Sequence, residues 1–172
     1  MKKIFFTADT HFFHKNVIRL CNRPFANVDE MNEKLIENWN RKVDVLDDIY
    51  HLGDFFWTDK KEDIESIIYR LNGNIYLIKG NHDSRKQLKI LSDCKNVRWI
   101  DNYFELKLND KLFVLFHYPM RTWNKSIHES FHLYGHVHGN TETSRIRNSM
   151  DVGVDANNFE PISLEEVIEK LK

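Results

Sequence analysis

Short apolar runs that halt at an aspartate, a glycine or a histidine constrain this chain more than any other feature. Lys3 to Ala8 (KIFFTA) runs into Asp9-Thr10-His11, and Asp48 to Leu52 (DIYHL) into Gly53-Asp54. Asn74 to Lys79 (NIYLIK) runs into Gly80-Asn81-His82-Asp83, Leu112 to Phe116 into His117, and His132 to Tyr134 into Gly135-His136-Val137-His138. Such runs, bounded by turn formers, read as buried strands. In α/β folds the crevice outside the carboxyl ends of the strands is the usual ligand site. Acids and imidazoles repeated at those ends therefore predict one polar rim on an otherwise apolar sheet.

Helical patterns separate the first strands. A short helix is expected over His14 to Leu20. Asn27 precedes Glu30 by three positions, and Met31, Leu35, Ile36 and Trp39 follow at helical spacing. Asp59 with Glu62 reads as a second start, with Ile64, Ile67, Ile68 and Leu71 on one face. Ser84 to Leu91 reads as a fourth helix. The first half is thus βαβαβ, which favours a parallel sheet. The second half reads as hairpin-like: Tyr103 to Leu108 and Lys111 to His117 flank a turn at Asn109-Asp110. His132 to Tyr134 and Met150 to Val154 read as further strands. Ser163-Leu164-Glu165-Glu166 is a capping-box pattern that opens a last helix to Leu171. The fold class is α/β, with two stacked mixed sheets and helices outside, a four-layer α/β/β/α sandwich. With 172 residues and no repeat or linker, the chain reads as one domain, residues 1–172.

Composition excludes some partners. The net charge is −1 and the pI about 6.8, so no global basic field recruits nucleic acid, and a stable polymer complex is not expected. No apolar run reaches membrane-spanning length, and Met1-Lys2-Lys3 leads straight into a strand without a signal-peptide core. Cys21 and Cys94 show no motif spacing and read as reduced thiols of a cytoplasmic protein, not as a structural zinc site.

Each polar fragment has a plain structural reading when taken singly. Asp-x-His can be a capped turn, Gly-Asp a glycine turn, and His117 a hydrogen-bonded strand end. Gly80-Asn81-His82-Asp83 is more specific, because three side chains able to ligate or donate stand between a strand and a helix. His136 and His138 would lie on one side of an extended segment, where a shared cation relieves their repulsion. Five fragments at the same strand ends offer more ligands than one ion needs. Two ions close together point to cleavage of phosphate esters.

The ordered set D-x-H, GD, GNHD, H and GHVH resembles the calcineurin-like metallophosphoesterase superfamily, from Asp9 to Gly139. Within it the chain resembles small bacterial and phage-type phosphoesterases, with Asp151-Val152-Gly153-Val154-Asp155 before a closing Ser-Leu-Glu-Glu helix. The resemblance implies that Asp9, His11, Asp54 and His138 hold one metal. Asp54 would bridge to a second, held also by Asn81, His117 and His136. His82 would stand beside the scissile phosphate as a general acid, and Asp83 would orient its imidazole. Two divalent ions are implied, Mn or Fe first; Zn, Co or Ni also suit a mixed N/O donor set, and Mg is a further candidate. Tyr118-Pro119 depart from the small neighbour that many relatives carry after the His117 position.

Outside the ligands, Arg19, Arg23 and Arg121 are candidates to clamp phosphate oxygens. Asn81, Tyr118 and His14 are candidates for the pocket wall. Trp57, Tyr118 and Trp123 could stack on a base. His51, His128 and His132 are not expected to ligate, and Trp39 and Trp99 are expected to be core. The function read from these residues is a dinuclear-metal phosphoester hydrolase, with a diesterase acting on a small nucleotide-like or cyclic nucleotide substrate favoured. The alternatives are a phosphomonoesterase acting on a nucleotide or phosphoprotein, and a non-catalytic scaffold. Loss of His82 or Asn81 would favour the scaffold, and both are present.

Overall fold

Side-chain alternation along the first strands decides the layering. The computed structural model describes residues 2–108, 110–128, 130–140 and 146–171. Strand β1 is Ile4–Thr7, β2 is Asp48–His51 and β3 is Asn74–Ile78. Phe5, Ile49, Ile75 and Leu77 point to one face and join the apolar residues of helices α1 (Lys15–Leu20), α2 (Val28–Lys42), α3 (Lys61–Ile68) and α4 (Arg85–Ser92). Phe6, Tyr50 and Ile78 point to the other face, into a second core shared with Phe113, Leu115, Phe131 and Leu133. Those four belong to β6 (Lys111–Phe116) and β7 (Phe131–Tyr134) of a second sheet. The result is two sheets face to face, as the sequence predicts, with α1 to α4 outside the first sheet and the last helix, Leu164–Lys170, packed through Leu164 and Val167 on the shared core.

The first sheet has the order β4-β3-β2-β1-β9, where β4 is Val97–Asp101 and β9 is Ile162–Ser163. Pairing is parallel except at β9, which runs antiparallel to β1. Neither β4 nor β9 stands out in the sequence. Val97-Arg98-Trp99-Ile100-Asp101 is a half-exposed edge strand that carries charges, and β9 is only two residues long. The second sheet has the order β5-β6-β7-β8, with β5 at Tyr103–Leu108 and β8 at Ser149–Asp151. The hairpin β5-β6 forms as expected, although Asn109 of its turn lies outside the described residues. The hairpin-like reading does not extend to the strands beyond β6 and is corrected there: β6-β7 and β7-β8 pair in parallel. The expected strand at Met150 to Val154 stops at Asp151, and Val154–Ala156 form a 3-10 turn.

Helix α2 is capped by Asn27, which accepts from the Glu30 amide at 2.9 Å. Capping boxes open α4, with Ser84 and Gln87, and α5 (Leu164–Lys170), with Ser163 and Glu166. Asp59 does not cap α3. That helix starts at Lys61, and Asp59 instead accepts from the Ser84 hydroxyl at 2.6 Å. In the second sheet, Trp123 packs on His132 (ring centroids 5.2 Å apart). His132 is buried, and its ring nitrogens meet the Val114 and Tyr118 carbonyls, so it is a packed strand residue and not a ligand. No described helix is long and apolar enough to cross a membrane.

His51 is likewise a packed strand residue, fully buried between Trp39 and Phe55 and bonded to the Thr10 hydroxyl at 3.0 Å. Burial, aided by the His117 charge, pushes its imidazole down from 6.5 to about 3. The unfolded chain therefore binds a proton more readily than the native one. The His51 contribution is complete above pH 6.5 and is lost as pH falls from there toward 3, by roughly 4–5 kcal/mol in all. Denaturant midpoints measured down this range are expected to fall less steeply in a His51→Gln protein than in the parent.

Candidate metal centre

All five polar fragments meet at the carboxyl ends of β1, β2, β3, β6 and β7. The loops after β1 and β2 are sewn together by backbone. The Asp9 amide donates to Gly53 O (3.0 Å), the His11 amide to Asp54 O (3.1 Å) and the Phe12 amide to Phe55 O (2.9 Å). These bonds hold an uncommon conformation. Asp9, His11, Asp54, His136 and His138 all have left-handed backbones, with φ of 57°, 49°, 58°, 71° and 50°. Non-glycine residues avoid this region, and strain of this kind gathers at functional sites. The extended i, i+2 geometry expected for Asp9/His11 and His136/His138 is therefore corrected. Because the backbone curls instead, His136 and His138 face different groups of residues.

Asp9, His11 and His138 bring ligand atoms within 4.8 Å of one another, and Asp54, His117 and His136 do the same. Asp54 links the two trios. Its Oδ2 lies 3.7 Å from His11 Nε2 and 3.5 Å from His117 Nε2, while its Oδ1 accepts from the His82 amide at 2.8 Å. Asn81 Oδ1 is 2.9 Å from His117 Nε2. The other His117 nitrogen, Nδ1, meets Leu52 O at 2.7 Å, which leaves Nε2 facing the cluster. Two glycines make room: a Cβ on Gly135 would come within 2.6 Å of Asp9 Oδ2, and one on Gly53 (φ 97°) within 2.6 Å of His117 Nδ1.

The donor set suits a cation. Asp9 Oδ1 is buried without a hydrogen-bond partner among the described residues, a costly state that a bound ion would relieve. Burial pushes the Asp9 carboxyl well above its usual range and raises that of Asp54. Burial also pushes the imidazoles of His11, His117 and His136 down, which favours the neutral form that ligates. His138 is the exception. Burial lowers it, but its bonds to Asp155 and Cys21 and the charges of Asp9 and Asp155 outweigh this and lift it to about 10.

Asp155 is a site residue that the motif reading misses. Its Oδ2 meets His138 Nδ1 at 2.7 Å, and both its oxygens accept from Arg23, each at 2.8 Å. Burial would raise its carboxyl, but His138 and Arg23 hold it below the usual range. Asp155 thus turns His138 so that Nε2 is left for an ion, as carboxylates behind ligating histidines do. Arg23 also donates to the Thr10 and Asp9 carbonyls, at 3.0 and 2.6 Å. The expectation that Arg23 clamps substrate is corrected: it is 4% exposed and fully engaged behind the ligands. Cys21 lies with His138 and Asp155 in a third group, yet Arg23 already takes both Asp155 oxygens, which leaves little charge there for a cation. Asp151 shapes the last ligand loop, accepting from the Gly153 and Gly139 amides at 2.7 and 2.9 Å.

The role expected for Asp83 is also corrected. Its carboxylate accepts from the amides of Gly80 (2.7 Å), Asp54 (2.9 Å) and Phe55 (3.0 Å), so it builds the loops and does not orient His82. Buried carboxylates serve well in this way, because several amides can converge on two oxygens. His82 is exposed at the rim, its ring 5.7 Å from that of His11 and 4.7 Å from that of Trp57. His14 is buried and stacks on Trp57 at 3.7 Å. Tyr118 packs edge-on against His117 (4.9 Å) and His136 (4.7 Å). Arg121, Arg19 and His128 are exposed.

The model of the calcineurin-like phosphoesterase family matches residues 2–150, which span all the ligand fragments. The chain belongs to this family. Metal dependence is general in the family, and the two trios are the groups able to supply it. A relative from Methanocaldococcus jannaschii, the uncharacterized protein MJ1445, is 34% identical over 178 residues, covering 100% of this chain and 93% of its own. A crystal structure of AQ665 from Aquifex aeolicus, a protein of unknown function, superposes with a TM-score of 0.78 at 29% identity, covering 100% of both chains. An archaeal phosphodiesterase shares the fold, with a TM-score of 0.52 at 21% identity over 88% of this chain and 82% of its own.

Proposed function

We propose that this family member is a dinuclear-metal phosphodiesterase acting on a small nucleotide-like ester. The observation that carries the reading is the position of Asp54 Oδ2, between His11 Nε2 at 3.7 Å and His117 Nε2 at 3.5 Å. One carboxylate shared by two donor trios suits a pair of ions better than one. Asp9, His11, Asp54 and His138 would hold the first, and Asp54, Asn81, His117 and His136 the second, with Mn or Fe preferred. Two such ions would neutralise phosphoryl charge and lower the pKa of a water.

The side chains around them divide the remaining work. Asn81, exposed beside His117, can donate its amide to a phosphoryl oxygen. His82 stands free at the rim to pass a proton to the departing alkoxide as the P–O ester bond breaks and water oxygen joins phosphorus. Tyr118 forms the wall beside His136, and Arg121 is a long-reach donor for the far ester oxygen. An open rim at Trp57, Tyr118 and His82, without a helical cap among the described residues, leaves room for groups on both sides of the phosphate. The free thiols Cys21 and Cys94 support a reducing, cytoplasmic setting.

The test is a paired assay of bis-p-nitrophenyl phosphate and p-nitrophenyl phosphate with added Mn, Fe, Zn, Co, Ni or Mg. Higher kcat/KM on the diester is expected; the reverse order would make the enzyme a monoesterase. His82→Ala is expected to lower kcat by about 10²–10⁴-fold. The loss should be smallest on these activated esters, whose leaving groups need no proton.

A further inference from the structure

Beside His82 a cleft of about 230 Å³ opens, walled by Trp57, Thr58, Asp59, His82, Ser84 and Gln87. It extends the rim away from the two donor trios, on the side of the residue read as the proton donor. Its volume is below the roughly 300–1,000 Å³ of a site for a drug-sized ligand, so it suits one ring system.

We propose that this cleft seats the planar base of a nucleoside leaving group, with Trp57 as its stacking platform. The inference rests on the hydrolase reading and adds the identity of the alcohol side. Trp57 is 44% exposed, a large apolar surface to leave uncovered beside a reaction centre. Its indole is also held in place. His14, itself only 7% exposed, stacks parallel to it at 3.7 Å with 4° between the planes, and the His82 ring meets it at 4.7 Å. A platform fixed before binding loses little freedom when a ring settles on it.

The walls choose the kind of ring. None of the six is lysine or arginine, so the cleft has no partner for a second phosphate. Asp59 adds a carboxylate whose Oδ1 already accepts from Ser84 Oγ, and an anionic group placed there would be repelled. The same carboxylate accepts from a ring amine or imino N–H. Thr58 and Gln87 are already engaged, with Asp63 and with the Phe56 carbonyl, and serve to fix the walls. The chemistry fits a neutral, donor-bearing heterocycle carried on the leaving oxygen that His82 would protonate. It disfavours a pyrophosphate or a further stretch of polynucleotide backbone.

The metal-loaded enzyme is tested on an adenosine-containing phosphodiester and on glycerophosphoglycerol, whose alcohols carry neither a ring nor a cation that could bind the Trp57 face. Trp57→Ala is expected to lower the ratio of kcat/KM between the two substrates by roughly five- to a hundredfold, the scale of one base stacked on an aromatic side chain. Most of the fall should be in KM, and Trp57→Phe should restore most of the ratio. Reading a ratio removes any shared effect of the substitution on His82. If only monoesters turn over, the diesterase reading fails, and the same ratio is taken between adenosine monophosphate and glycerol phosphate. If nothing turns over, adenosine binding followed by tryptophan fluorescence decides, since its quench should vanish in Trp57→Phe. An unchanged ratio in Trp57→Ala, or an unchanged quench in Trp57→Phe, would overturn the proposal.

Discussion

An Asp54→Asn protein is expected to lose activity by about 10²–10³-fold, the scale of removing preorganised charge stabilisation from an active site. It is also expected to bind fewer metal ions, counted by elemental analysis. The substitution keeps the shape of the side chain, and an amide oxygen can still accept from the His82 amide as Asp54 Oδ1 does. What disappears is the charge that His11 Nε2 and His117 Nε2 flank. A damaged fold would be a competing explanation for lost activity, and the pKa directions separate the two. Burial pushes the Asp54 carboxyl up, so in ion-free protein the charge opposes folding at neutral pH. A neutral amide should leave the ion-free melting temperature unchanged or higher while the benefit of added metal shrinks. Full activity with full metal content in Asp54→Asn would end the shared-ligand reading.

The largest stability effect of a substitution at neutral pH is expected at Arg23. Its guanidinium bonds both oxygens of Asp155 and the carbonyls of Asp9 and Thr10 from a buried position. Arg23→Ala leaves the buried Asp155 carboxylate with His138 as its one remaining charged partner among the described residues, and breaking a buried pair from one side costs about 3–5 kcal/mol. Arg23→Lys should recover only part of this, since one ammonium cannot reproduce a planar fork serving three residues. Asp155→Asn breaks the same pair from the other side, leaves the buried Arg23 guanidinium without its counter-charge and should also destabilise. It leaves His138 with a weaker partner at Nδ1 and should reduce metal affinity by roughly 10–100-fold. Denaturant melts and metal titrations of the two variants would distinguish the roles: both should lower stability, and the fall in metal affinity should be larger for Asp155→Asn, which removes the carboxylate behind His138 Nδ1. Equal melting behaviour for Arg23→Ala and the parent would contradict the buried-pair account.

Much of the ligand set is legible in the sequence because each donor follows an apolar strand, and strands announce themselves by pattern. Asp9, His11 and His138 meet in one candidate trio and Asp54, His117 and His136 in another. The expected strand Met150 to Val154 likewise runs into an aspartate, Asp155, so a signal for it exists, although the strand itself stops at Asp151 and Asp155 lies in the 3-10 turn. Asp83 shows the opposite error. A carboxylate beside a histidine reads as its partner, whereas three converging amides from two loops claim it, and no linear pattern reveals that convergence. Arg23 is misread for a related reason, because a phosphate clamp and a loop clamp need the same fork. The parallel run β6-β7-β8 escapes a linear reading because its crossovers carry no helical period, and β4 does so because an edge strand is half wet and partly charged.

The amide stitches from Asp9 to Gly53 and from His11 to Asp54 tie together loops that each carry part of a different trio. With Asp54 common to both, the rim behaves as a single rigid casting, and the spacing between its two halves is set by the sheet. Neither half can be retuned for a new substrate without unsettling the other. Divergence in what this enzyme accepts should therefore be written into the outer walls, at Trp57, Asp59 and Tyr118, while the interior of the casting stays as it is.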